Sequence, residues 1–140
     1  MLKTHGRYDY SAISRRPDYS WPGGKRLAVH IALNVEHFAF GEGLGNDYAV
    51  PHPQPNTRSF AWRDYGNRVG LWRMDEVLQQ YPVRPTISLN LALLDHFPEI
   101  ASLIRERGWD VMSHGLYNTR FLYGMDEAAE RAFYRDNIDS

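Results

Sequence analysis

Apolar residues fall into short blocks along this chain, and the blocks alternate between two spacings. From Arg26 to Val35 the run Leu27-Ala28-Val29-His30-Ile31-Ala32-Leu33 is apolar and partly β-branched. That pattern predicts a strand buried on both faces. Tyr65 to Tyr81 places Val69, Trp72, Val77 and Leu78 at helical spacing and stops before Pro82, which predicts a helix with one apolar face. Pro85 to Asn90 reads as a second short strand, and Leu91 to Phe97 with Pro98 to Arg107 as a helical pair. Pro98 suits a first helical position and Gly108 the residue past the end. Trp109 to Ser113 is then a third strand, and Asp126 opens a last helix carrying Ala129, Ala132, Phe133 and Ile138 on one side.

Two stretches have no period. Met1 to Gly24 contains Pro17 and Pro22 and ends in the turn signal Trp21-Pro22-Gly23-Gly24, so residues 1–24 are expected to form an extended arm ahead of a domain spanning 25–140. His37 to Arg63 is rich in Gly and Pro and follows directly on a strand end, a place where long loops are functional or disordered. Within it, Gly41 to Thr57 is expected to pass over a cleft or to reach a partner. Strands alternating with helices imply right-handed βαβ units, a parallel sheet, and ligands at the carboxyl ends of its strands. Those ends are Asn34 to His37, Asn90, and His114 to Asn118, all polar or ionisable.

Composition narrows the partners. With 140 residues the chain has the size of one domain or part of one, and its mean hydropathy of -0.54 argues against a membrane class. Its 16 basic and 17 acidic residues are interspersed, so no basic stripe marks it for nucleic acid. Cysteine is absent, which removes disulfides, thiolate ligands and thiol nucleophiles together. The first ten residues lack an apolar signal core, and cytoplasm is the default expectation. Aromatic residues are frequent outside the regular blocks, which suits a lined groove, an interface or the packing of long loops.

Glu36 after the first strand can act as a general base or a metal ligand, or merely cap the strand in solvent. His114 repeats the situation after the third strand, with Gly115 beside it allowing close backbone approach. Arg68 is a candidate for binding a carboxylate or oxyanion through its planar fork, or for a surface ion pair with Asp64 or Asp75. Asn90 offers either oxyanion donors or a helix cap. Trp62 and Tyr117 are candidates for lining a substrate groove, whereas Trp72 lies on the apolar helix face and suits the core.

The blocks Trp21-Pro22-Gly23-Gly24-Lys25-Arg26, Asn34-Val35-Glu36-His37, Tyr65 to Arg73 and Ser113-His114-Gly115 resemble, in order and spacing, the polysaccharide deacetylase superfamily. The nearest branch is the one containing allantoinase-like cyclic amide hydrolases. The resemblance implies the first half of a distorted (β/α) barrel, truncated at its C-terminus, and a hydrolase of non-peptide C-N bonds acting on a small-molecule or carbohydrate substrate. It implies a divalent cation, commonly zinc, at the positions of Glu36, His114 and Asn118. Asn118 stands where metal-dependent members have a second His and is a poorer ligand than imidazole. His37 is either a substitute ligand or a base, and allantoinase-like relatives work without metal, so the resemblance leaves the cofactor open. It also suggests catalytic roles for Glu36, His37 and Arg68, which with the strand-end Asn90 make up the candidate catalytic set. A non-catalytic fragment that functions only by association is the rival reading, and a lectin-like carbohydrate-binding module is a third. The open edge of a three-stranded sheet predicts a homo-oligomer or the remainder of a longer polypeptide.

Overall fold

A computed structural model describes residues 5–42 and 54–139. Three parallel strands, β1 (Ala32–Val35), β2 (Thr86–Leu89) and β3 (Asp110–Ser113), lie in the order β1-β2-β3. The register pairs Ala32 with Thr86 and Val35 with Leu89, then Thr86 with Asp110 and Leu89 with Ser113, so all three strands end at one level. The arrangement is α/β, as the alternating pattern predicts.

The core gathers around the middle strand. Ile87, Leu89, Leu93 and Ile100 are almost fully enclosed, with Val35, Leu71, Leu103, Ile104 and Trp109 around them. Burying each such side chain contributes about 1.5–3 kcal/mol. Trp72 packs partly buried against this cluster, in keeping with its place on the apolar helix face.

β1 is shorter than the apolar run predicts. Leu27 and Val29 are about three-quarters exposed, because β2 begins only at Thr86 and gives residues upstream of Ile31 nothing to pair with. All four residues of β3 are exposed as well. An apolar β-branched run therefore marks the strand here without being buried on both faces.

The helical region following β1 also begins earlier than expected. Asn56 caps α1 (Thr57–Tyr65) by accepting the Ser59 N–H at 2.9 Å, a polar signal that the surrounding Pro and Gly obscure. Gly66–Gly70 forms a π-helical turn that runs straight into α2 (Leu71–Leu78). A π turn holds one residue more than an α turn, and such turns are frequent at functional sites.

The remaining elements follow their signals. α3 (Ala92–His96) leads into α4 (Pro98–Arg107), with Pro98 in its first turn and Gly108 left-handed at φ 60° past its end. The buried Asp75 of α2 accepts two hydrogen bonds from Arg107 at 2.8 and 2.9 Å, tying α2 to α4. Asp126 caps α5 (Glu127–Asp139) by accepting the Ala129 N–H at 2.8 Å.

The N-terminal arm is exposed and contains short 3₁₀ turns at Ile13–Arg15 and Pro22–Gly24. Trp21 and Lys25 bridge across the second of these, where Gly23 and Gly24 take positive φ. Of the segment expected to pass over the cleft, residues 43–53 lie outside the described residues; Gly41, Glu42 and residues 54–56 are not helical. No helix among the described residues is long and apolar enough to cross a membrane.

Candidate active site

All three polar strand ends meet at one place, and the link between them is Asn90. This residue is fully buried just past β2. Its Oδ1 accepts the backbone N–H of His37 at 2.8 Å, and its Nδ2 donates to the carbonyls of His114 at 2.5 Å and Gly115 at 3.4 Å. One amide thus fastens the ends of β1 and β3 to β2. The oxyanion role expected for Asn90 is corrected on this point, since both of its Nδ2 hydrogens are already committed to backbone carbonyls. Its capping role is also absent, because no side chain caps α3.

The clamp brings Glu36 and His114 together although β2 separates their strands. Glu36 Oε1 lies 3.6 Å from His114 Nε2. Asn118 donates from Nδ2 to Glu36 Oε2 at 3.1 Å, and its backbone N–H reaches the His37 carbonyl at 2.8 Å. Glu36 is held from behind as well: Asn67, buried in the π turn, donates to its carbonyl at 2.8 Å. A one-residue offset in the helix brings this amide to the strand end. Asn67 was not singled out from the sequence, although it stands in the Gly66-Asn67-Arg68 block; its signal is a polar residue between two glycines of a helix.

Glu36 looks into a groove of about 520 Å³ between β1 and the α1–α2 region, lined also by Val35, Phe38, Asn67, Leu71 and Met74. Trp62 lines the same groove with three-quarters of its surface exposed. His37 turns away, as consecutive residues of an extended chain do. Its ring packs with His96, Phe97 and Tyr117 at centroid distances of 4.7, 5.8 and 5.6 Å. Burial, and then the neighbouring His96, lower its pKa below the ordinary 6.5, with Asp64 acting the other way. Arg68 and Tyr117 belong to this second cavity rather than to the Glu36 groove. Arg68 donates from Nε to Asp64 Oδ2, the ion pair expected as one of its two readings.

Among the described residues the donor set does not complete a zinc centre. Among the described residues no three His, Asp or Glu side chains gather into a group able to hold a metal ion. Zinc takes at least three protein ligands; Glu36 and His114 supply two, Asn118 presents an amide N–H toward the carboxylate, and His37 is in the other cavity. The expectation that His37 substitutes as a ligand is corrected by its direction. The arrangement does set a carboxylate beside an imidazole at the strand ends, 3.6 Å apart, and groups of these two kinds are able to accept and return a proton.

A crystal structure of PuuE allantoinase matches this chain with a TM-score of 0.71 and 25% sequence identity. The match covers 94% of this chain and 49% of that one. The fold is that of the first part of an allantoinase of the polysaccharide deacetylase superfamily. The chain therefore spans about half the length of its structural neighbour. No protein-family model and no curated protein sequence matches it. The allantoinase-like resemblance read from the four sequence blocks accordingly rests on the fold as well as on the residues.

Proposed function

We propose that this chain belongs to a hydrolase of non-peptide C-N bonds and carries its proton-transferring Glu36 and its oxyanion-stabilising His114. The single observation that carries the reading is their convergence, 3.6 Å apart, at the carboxyl end of the sheet. The allantoinase neighbour supports hydrolysis in general. Glu36, held by Asn118 through Oε2, takes a proton from water through its other oxygen while the water oxygen attacks the amide carbonyl carbon. A hydrogen bond from a ring N–H of His114 stabilises the charge that develops on the carbonyl oxygen. The C-N bond then breaks, and the proton held by Glu36 passes to the leaving nitrogen. Substrates in scope are N-acetylated sugars and cyclic amides of the allantoin type. Trp62, which lines the Glu36 groove and is largely exposed, supports the reading as a substrate contact.

Purified chain is to be assayed on N-acetylglucosamine oligomers and on allantoin, with Glu36→Gln and His114→Ala alongside. Each substitution is expected to lower kcat by about 100-fold or more with the circular dichroism spectrum unchanged. Turnover indifferent to both substitutions, or no turnover by a folded chain, overturns the assignment.

A second reading, a non-catalytic unit that functions by association, is favoured by one feature. Val111 and Met112 of the border strand β3 are about half exposed. Association with another copy or with the rest of a longer polypeptide is part of either reading.

A further inference from the structure

We infer that Asn137 of α5 is a positioning residue for His114: it holds the turn from which the imidazole reaches Glu36, without touching the reacting atoms. The kinetic consequence rests on the hydrolase reading, whereas the geometry stands apart from it. α5 carries no buried residue, so core burial does not explain its place beside the sheet. Two contacts at the end of β3 do.

The first contact is polar, and its direction is forced. Asn137 Nδ2 donates to the Phe133 carbonyl of its own helix at 2.7 Å, which leaves Oδ1 as the acceptor offered to a neighbour. The Ser113 hydroxyl donates to that Oδ1 at 3.1 Å. A hydroxyl has one proton, so with it given to Asn137 the Ser113 oxygen can only accept elsewhere. It accepts the Gly115 N–H at 3.3 Å, two residues further on. Such a bond from backbone to a nearby hydroxyl closes a tight turn, and the residue enclosed by this one is His114.

The second contact is steric. Gly115 has φ 75°, and a Cβ on it would stand 3.1 Å from Phe133 Cζ, so the ring one helical turn before Asn137 lies against the same turn. On the opposite side the His114 N–H donates to the Leu89 carbonyl at 2.8 Å and the His114 carbonyl takes Asn90 Nδ2. The sheet therefore fixes where the His114 backbone lies, and α5 fixes how the chain turns through it. The turn matters because the His114 side chain is 42% exposed and packing does not hold the ring. Allowed rotamers depend on φ and ψ, so the turn selects the one that brings Nε2 to 3.6 Å from Glu36 Oε1.

Isotope-labelled chain reports the His114 rotamer through the three-bond couplings to its β protons. Wild type and Asn137→Asp, which keeps an acceptor for Ser113, are expected to show one dominant rotamer. Asn137→Leu and Ser113→Ala are expected to show couplings averaged over several. On an amide that the chain turns over, Asn137→Leu is expected to lower kcat about tenfold with KM unchanged, and Asn137→Asp to stay within about twofold of wild type. Should Asn137→Leu unfold α5, Ser113→Ala removes the same bond from the strand side and decides. One dominant rotamer in both Asn137→Leu and Ser113→Ala overturns the inference. So do averaged couplings in wild type, or an Asn137→Asp as disturbed as Asn137→Leu. The couplings need no turnover, so a chain without hydrolytic activity sinks the proposed function and leaves this result standing.

Discussion

Two neighbouring residues, Glu36 and His37, show what one position along an extended chain decides. Glu36 faces the open groove and His114, whereas His37 is 8% exposed among rings. The strand-end rule made both polar positions legible as site candidates. Their separation was not legible, since the sequence does not say which side of the chain end each faces. Burial gives His37 a titration consequence. Its surroundings are His96 and Tyr117, which are bonded to each other, and the Asp64–Arg68 pair across the cavity. With the folded pKa below 6.5, the unfolded chain takes up the proton first. The contribution of neutral His37 is therefore complete above that value and is lost as pH falls through it. His37→Phe keeps a ring in the box and removes the proton site. Its melting temperature is expected to fall less than that of wild type between about pH 7 and about pH 5.5. Parallel curves for the two proteins would show that His37 contributes nothing to the acid sensitivity.

At the scale of elements, the strands, α4 and α5 could be read from period and punctuation, because Pro98, Gly108 and Asp126 act locally. The π turn could not. Its cause is a contact distant in sequence, the Asn67 amide reaching the Glu36 carbonyl, and a helix with one added residue looks like any helix in hydrophobic spacing. Asn90 was legible as a polar strand end and misjudged in role for the same reason: its partners, His37, His114 and Gly115, come from two other elements. Asn90→Leu retains the volume and strands the His37 N–H and the His114 carbonyl, while the Gly115 carbonyl keeps the Leu91 N–H. A loss of about 2–4 kcal/mol in urea unfolding is expected, from the cost of buried unpaired polar groups. A loss under about 0.5 kcal/mol would mean that water replaces the amide, and the clamp would then have no part in holding the site.

For the molecule as a whole, the resemblance anticipated a half-barrel, and the sheet has the open sides that this implies. Val111 and Met112 on β3 are about half exposed. Self-association in concentrated solution is the expected outcome, to be followed by light scattering across a dilution series. A strictly monomeric chain at every concentration would sink the proposal of association with another copy. The all-parallel order β1-β2-β3 also restricts how copies can join. Its two free borders are unlike, so β3 of one copy can continue in parallel only onto β1 of the next, whereas like borders meet solely head to foot across a twofold axis. Parallel joining repeats without end unless the twist of the strands returns the last border to the first. The distribution of masses then reports the join: an open ladder of sizes means that unlike borders meet without closing, and a single dimeric species means a closed ring or like borders paired across a twofold axis.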